Sequence, residues 1–181
     1  MKKKVKKNYI KIGILGGTFD PPHKGHVQIS QIILKKLKLN KILWVVTKKN
    51  PFKKKPYLST QVRIKLSKKI TKNNKKIFIK YFDEKIKSSN TFTLLKYIKT
   101  KNQKAKLFFL IGADNLKKFH KWKNWNKIPK LAKIVVFPRK NCSINSIAWK
   151  KLHKKDLIYI KSKKINISSS LIRKFWYFIP I

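Results

Sequence analysis

Five apolar residues in a row, Ile42-Leu43-Trp44-Val45-Val46, interrupt a chain in which charged residues make up 30% of the total. A strand with one wet face alternates apolar and polar side chains. A short unbroken run rich in β-branched residues instead fits a strand covered on both faces. The pattern returns at Leu107–Ile111 and Ile134–Phe137, and further strands are expected at Tyr9–Leu15, Ile77–Phe82 and Leu157–Ile160. Between these runs the apolar spacing changes. Val27, Ile29, Ile32, Ile33, Leu34 and Leu37 recur with a helical period over Lys24–Lys38, and Val62, Leu66 and Ile70 do so after Ser59, a residue suited to cap a helix. More helix is expected at Thr91–Ile98, after Gly112 and from about Ser168. Strands alternating with helices give the α/β class: a Rossmann-like, doubly wound parallel sheet with helices on both faces. In such sheets ligands bind beyond the carboxyl ends of the strands. Chemistry is therefore expected in segments 16–26, 47–56, 112–125 and 161–173.

The 181 residues show no internal repeat and no second composition zone, which predicts one domain over residues 9–181 behind a basic arm over residues 1–8. Hydrophobic residues, at 42%, suffice for a core and exclude wholesale disorder. Cys142 is the only cysteine, which excludes a disulfide scaffold. Apolar runs reach about seven residues, as at Phe175–Ile181, against the ~20 that a membrane span needs. The basic start lacks a signal-peptide cleavage pattern. A soluble, cytoplasmic protein with no membrane partner is expected. Lys and Arg together number 49 and Asp and Glu 5, for a net charge of +44. Such a field attracts polyanions, nucleic acid first among them. Yet the arginines are only Arg63, Arg139 and Arg173, and bidentate recognition of phosphate or guanine favours Arg. Lys, Ile and Asn share A/T-rich codons, so genome composition and a selected polyanion-binding surface stand as alternative origins of the charge.

The richest segment is Gly16-Gly17-Thr18-Phe19-Asp20-Pro21-Pro22-His23-Lys24-Gly25-His26. Two glycines after a strand let the backbone approach a ligand and offer N–H groups to phosphate oxygens. His23 and His26, three apart near a helix N-terminus, place both imidazoles on one face. That end of a helix itself favours a phosphate, so the segment forms a cradle for a phosphoryl group whose charge grows during transfer. Gly13, Gly16 and Gly17 have the wrong spacing for a dinucleotide fingerprint, and a P-loop lysine is absent. Near the other end, Ile167-Ser168-Ser169-Ser170-Leu171-Ile172-Arg173 combines a hydroxyl-rich helix start with a guanidinium suited to phosphate oxygens.

The first segment resembles the G-G-T-F-D-P-x-H-x-G-H signature of HxGH nucleotidyltransferases, and the second resembles their I-S-S-[ST]-x-[IV]-[RK] signature. The two lie about 140 residues apart in the expected order. Phosphopantetheine adenylyltransferases carry T-x-G-H where this chain has His23-Lys24-Gly25-His26. Leu110-Ile111-Gly112-Ala113-Asp114-Asn115-Leu116, with Phe119, Trp122 and Trp125, is similar to the G-A-D-x-(L/M)…F-x-x-W stretch of bacterial nicotinate-nucleotide adenylyltransferases. Ser89-Asn90-Thr91-Phe92-Thr93-Leu94 and Asn50-Pro51-Phe52-Lys53 resemble two more of that family's segments, the former shortened by one residue.

The resemblance implies adenylyl transfer from ATP to nicotinate mononucleotide, giving deamido-NAD and pyrophosphate, with Mg2+ arriving on ATP. It implies catalytic roles for His23, His26 and Arg173. Gly16, Gly17, Thr18 and Phe19 would approach the nucleotides, Gly112 and Asp114 the ATP ribose, and Ile167, Ser168, Ser169 and Arg173 the adenine and triphosphate. On the acceptor, Asn50 and Lys53 would meet the phosphate, Thr91 and Trp122 the nicotinate ring, and backbone near Lys123 the carboxylate. Trp125 reads as core, and His120 and His153 as surface residues without a role. Two alternatives remain open from the sequence: an adenylyltransferase with another acceptor, such as nicotinamide mononucleotide, and a nucleic-acid-binding protein on a related scaffold. The apolar end after Arg173 is shorter than the family's. It packs on the domain, forms an oligomer contact or frays.

Overall fold

A computed structural model describes residues 9–50, 52, 54–139, 142–162 and 167–175. The arm 1–8, Lys53 and the last six residues of the apolar end lie outside them. The strands are β1 (Lys11–Gly17), β2 (Lys41–Val46), β3 (Ile77–Tyr81), β4 (Lys106–Gly112), β5 (Lys133–Phe137) and β6 (Leu157–Tyr159). The helices are α1 (Lys24–Lys36), α2 (Thr60–Thr71), α3 (Thr91–Lys101), α4 (Ala113–Leu116), α5 (Ile147–Lys151) and α6 (Ser169–Phe175), with short 3-10 turns around Phe119–Lys121, Trp125–Lys130 and Lys154–Asp156. All strand pairs are parallel, in the order β3-β2-β1-β4-β5-β6. The order reverses between β1 and β4, which opens a crevice at their carboxyl ends.

Side chains divide between the two faces with the period of two that a strand imposes. On one face Ile12, Ile14, Leu43, Val45, Phe109, Ile134 and Val136 pack under Leu95 and Ile98 of α3 and under Leu116, Phe119 and Ile128. On the other, Leu15, Ile42, Trp44, Leu110 and Val135 pack under Ile29 and Ile33 of α1. A Cβ on Gly13 would stand 2.8 Å from Ile42 and 2.9 Å from Leu39, so the second layer closes directly onto the β1 backbone.

Helix α2 departs from the expected stripe. Its buried positions are Arg63, Ser67 and Thr71, while Val62 is 41% exposed. The fully buried positions recur with a helical period of four and are polar, while Ile64 and Ile70, the latter from the expected stripe, pack half-buried against the core. Thr71 Oγ1 returns its proton to the Ser67 carbonyl at 2.8 Å, and Arg63 is occupied as described below. Ser59 caps the helix as expected, its hydroxyl accepting from Val62 N at 3.3 Å.

Candidate active site

The loop leaving β1 keeps space above its glycines. A Cβ on Gly16 would find only a Phe109 ring atom, at 3.9 Å. The residue with left-handed backbone is not a glycine but Phe19, at φ 49°. That conformation is disfavoured for a bulky side chain. Stacking of the Phe19 ring on Trp44, at 4.9 Å and 10°, helps hold it. Asp20 follows and is buried; its two carboxylate oxygens accept from Tyr57 N at 2.9 Å and Leu58 N at 3.0 Å.

His23 is the N-cap of α1, and its backbone N–H donates to His26 Nδ1 at 3.2 Å. An Nδ1 that accepts leaves the proton of the neutral His26 ring on Nε2, so Nε2 is the donor. The two rings lie 3.7 Å apart. His23 is only 3% exposed, and neither of its ring nitrogens has a partner among the described residues. Burial, with the Arg139 cation as second cause, lowers its pKa to about 4. It is therefore a neutral donor at neutral pH, held ready for oxygens that the protein itself does not supply.

The tail segment closes against this loop. Ser169 Oγ donates to the Pro21 carbonyl at 2.8 Å. The Arg173 guanidinium donates to the Asp20 carbonyl, stands 3.7 Å from the Asp20 carboxylate and lies over the Tyr57 ring. Ser168 Oγ caps α6 by accepting from Leu171 N at 3.1 Å. Beyond β5, Arg139 donates to the Ile167 carbonyl at 3.1 Å and stands 3.7 Å from Asp114, which follows β4. Any Cβ on Gly112 would fall 2.3 Å from Asp114 Oδ1, so only glycine leaves that carboxylate where it is.

These elements enclose a cavity of about 770 Å³ at the sheet's reversal point. Gly16, Gly17, Thr18, Phe19, His23, His26, Gly112, Asp114, Ile167, Ser168, Ser169 and Arg173 all line it. A second cavity of about 100 Å³ adjoins it and is lined by Thr91, with Asn50 and Trp122 on both. Lys123 is exposed and lines neither. Trp125 packs its ring against Phe119 in the core, as expected, and His120 is half-buried rather than on the surface. Sequence reasoning passed over Arg139, Asp20, Lys54 and Lys55, which also line the larger cavity, and Asp83, which lines the smaller. Arg139 carried a signal: it is one of three arginines in a lysine-rich chain, and it follows a strand.

A phosphate cradle and a hydroxyl-rich helix start, joined across a doubly wound sheet, define a nucleotidyltransferase. Residues 14–175 match the sequence model of the cytidylyltransferase-like family. A protein of Pelagibacter ubique named "Probable nicotinate-nucleotide adenylyltransferase" is 46% identical over 167 residues, 91% of this chain and 92% of the relative. One of the same name from Ruegeria sp. is 38% identical over 128 residues, 71% of this chain and 67% of the relative. The solved nicotinic acid mononucleotide adenylyltransferase of Plasmodium falciparum, complexed with NaAD, superposes with a TM-score of 0.76 at 25% identity, over 92% of this chain and 84% of that one. The chain belongs to the nicotinate-nucleotide adenylyltransferase family.

Proposed function

We infer that this chain transfers the adenylyl group of ATP to nicotinate mononucleotide, forming deamido-NAD and pyrophosphate in NAD biosynthesis, and that it does so in the cytoplasm. The observation that carries this reading is the direct bonding of the tail segment to the first loop, Ser169 to Pro21 and Arg173 to Asp20, around one cavity. No helix among the described residues is long and apolar enough to cross a membrane.

An oxygen of the acceptor phosphate attacks the α-phosphorus of ATP. The bond from that phosphorus to the β-phosphate oxygen breaks, and its electron pair leaves on pyrophosphate. The phosphate group is itself the nucleophile, so the protein's work is to place two anions in line and to stabilise the charge that grows on the oxygens. His26 Nε2–H and the neutral His23 ring donate to the phosphoryl oxygens. Arg173, steadied by Asp20, faces the outer phosphates, and Asp114 accepts from the ribose hydroxyls. Asn50 meets the acceptor phosphate, while Thr91 and the Trp122 face hold the flat pyridine ring. Amides next to Trp122, toward Lys123, receive the carboxylate. No group of three His, Cys, Asp or Glu side chains among the described residues is placed to hold a metal ion. On this reading Mg2+ would be held by the phosphates of ATP and would supply charge neutralisation there.

The test is purified protein with Mg-ATP and either the acid or the amide mononucleotide, followed by product chromatography and pyrophosphate release. Deamido-NAD from the acid, with the amide a poor competitor, is expected. Equal use of both acceptors would move the assignment to a nicotinamide mononucleotide enzyme. Absence of product with either, beside salt-dependent retention of RNA, would move it to a nucleic-acid-binding protein.

A further inference from the structure

Arg63 takes part in none of these steps, yet it is 1% exposed and all five of its N–H donors find acceptors. Nη1 donates to Thr18 O at 2.6 Å and Thr47 O at 2.8 Å. Nη2 donates to Lys48 O at 3.2 Å and Thr60 Oγ1 at 2.9 Å, and Nε donates to Leu58 O at 3.0 Å. The four carbonyls come from three separate stretches: the loop after β1, the segment leaving β2, and the chain that returns to α2. Carboxylates hold the same stretches by their N–H groups. Asp20 takes Tyr57 N and Leu58 N, and Asp83 takes Lys48 N at 2.8 Å and the Thr47 hydroxyl at 2.9 Å. A peptide is planar and trans, so tying the Thr18 carbonyl to Arg63 turns the Phe19 N–H the opposite way, and tying the Lys48 carbonyl turns the Lys49 N–H. Phe19 lines the larger cavity and Lys49 the smaller.

We propose that Arg63 is a positioning residue: its buried guanidinium fixes the phosphate loop after β1 and the acceptor segment after β2 at one separation, so that the acceptor phosphate meets the α-phosphorus in line. The proposal rests on the function inferred above and names no contact between Arg63 and substrate. Its weight comes from the sensitivity of such a transfer to placement, where about 1 Å of error costs on the order of 100-fold in rate.

Three variants test it. Arg63→Lys keeps the charge but offers three donors on a point cation instead of a planar fork. Thr60→Val removes one acceptor. Thr71→Val, on the same buried face but bonded within its own helix, is the stability control. In folded Arg63→Lys, kcat should fall about tenfold or more while the KM for ATP stays within about threefold, since positioning acts on the transition state rather than on ATP binding. Thr60→Val should lose about threefold in kcat, and Thr71→Val should melt earlier with unchanged kcat and KM. Amide exchange at residues 18–20 and 47–50 should quicken in Arg63→Lys without matching change in the central strands.

Unchanged kcat and exchange in Arg63→Lys would overturn the proposal. A kcat loss in Thr71→Val equal to that in Arg63→Lys would do so too, because the effect would then follow stability. If Arg63→Lys does not fold, Thr60→Val decides by the same readouts. A wild-type protein that makes no dinucleotide defeats the functional reading instead, and the exchange pattern alone then judges Arg63.

Discussion

The two sides of the crevice are built on opposite terms. On the β4–β5 side and along α1, buried polar atoms lack partners: both ring nitrogens of His23, Oδ1 of Asp114 and Nε of Arg139 make no hydrogen bond among the described residues. On the β2 side, the polar groups that face the crevice are bonded internally, and the buried Ser67 hydroxyl, behind them on α2, is without a partner among the described residues. Arg63 uses every donor, Asp83 holds Thr47 and Lys48, Asn50 accepts from Phe52 N at 2.9 Å, and Asn90 accepts from Thr93 N at 2.9 Å. Leaving a buried polar atom unpaired costs about 1–3 kcal/mol. The first side therefore stores a demand that, on the proposed function, phosphate and ribose groups would meet, whereas the second spends its bonds on shape. Substitutions on the first side should act on chemistry and ATP, and those on the second on geometry and the acceptor.

The largest expected effect comes from His26→Ala, which removes the Nε2 donor: turnover should fall by ~100-fold or more, as for a lost transition-state donor, with the far-UV circular dichroism unchanged. Turnover near normal would erase the distinction between the two sides.

Next is pH. The fold holds His23 neutral with a pKa of about 4, while the unfolded chain's histidine titrates near 6.5. Below 6.5 the unfolded state takes up a proton that the native state refuses, so stability is lost as pH falls through that window toward 4. Between pH 7 and pH 5 this amounts to about 2 kcal/mol. Urea unfolding at the two pH values measures it, and His23→Gln should remove the difference. Bound ATP should diminish it, because phosphates favour the protonated ring.

Gly112→Ala comes third. Its Cβ displaces the Asp114 carboxylate, so KM for ATP should rise about tenfold with the acceptor KM little changed, the cost of roughly one strong hydrogen bond to a charged group. Trp122→Leu is the smallest: acceptor KM up about fivefold through lost ring stacking, with a smaller rise in the ATP KM, since Trp122 lines both cavities. Steady-state kinetics with each substrate varied in turn checks both, and an inverted pattern would break the division.

What the sequence disclosed follows from where the information lies. Strands such as Ile42–Val46 and helix caps such as Ser59 are local, and the structure places them within a residue or two of expectation. The two signature segments carry their chemistry in adjacent residues, so the cavity lining at 16–26 and 167–173 was legible before any fold. Helix α2 was not. The residue types that recur at a helical period there are apolar, but Arg63, the largest of the buried ones, answers carbonyls brought from Thr18, Thr47 and Lys48 by the fold. No window of sequence contains those partners together. Phe19 shows the same gap: its backbone is left-handed where local rules would ask for glycine, and the groups against it, the Trp44 ring and the Arg63 guanidinium on the preceding carbonyl, come from far along the chain.

Hydrogen exchange with and without a non-hydrolysable ATP analogue bears most directly on the central claim, that two chain segments far apart in sequence close around one triphosphate. Protection should rise together at residues 16–26 and 167–173, with the same dependence on analogue concentration. Protection confined to one segment, or appearing at two distinct affinities, would contradict it.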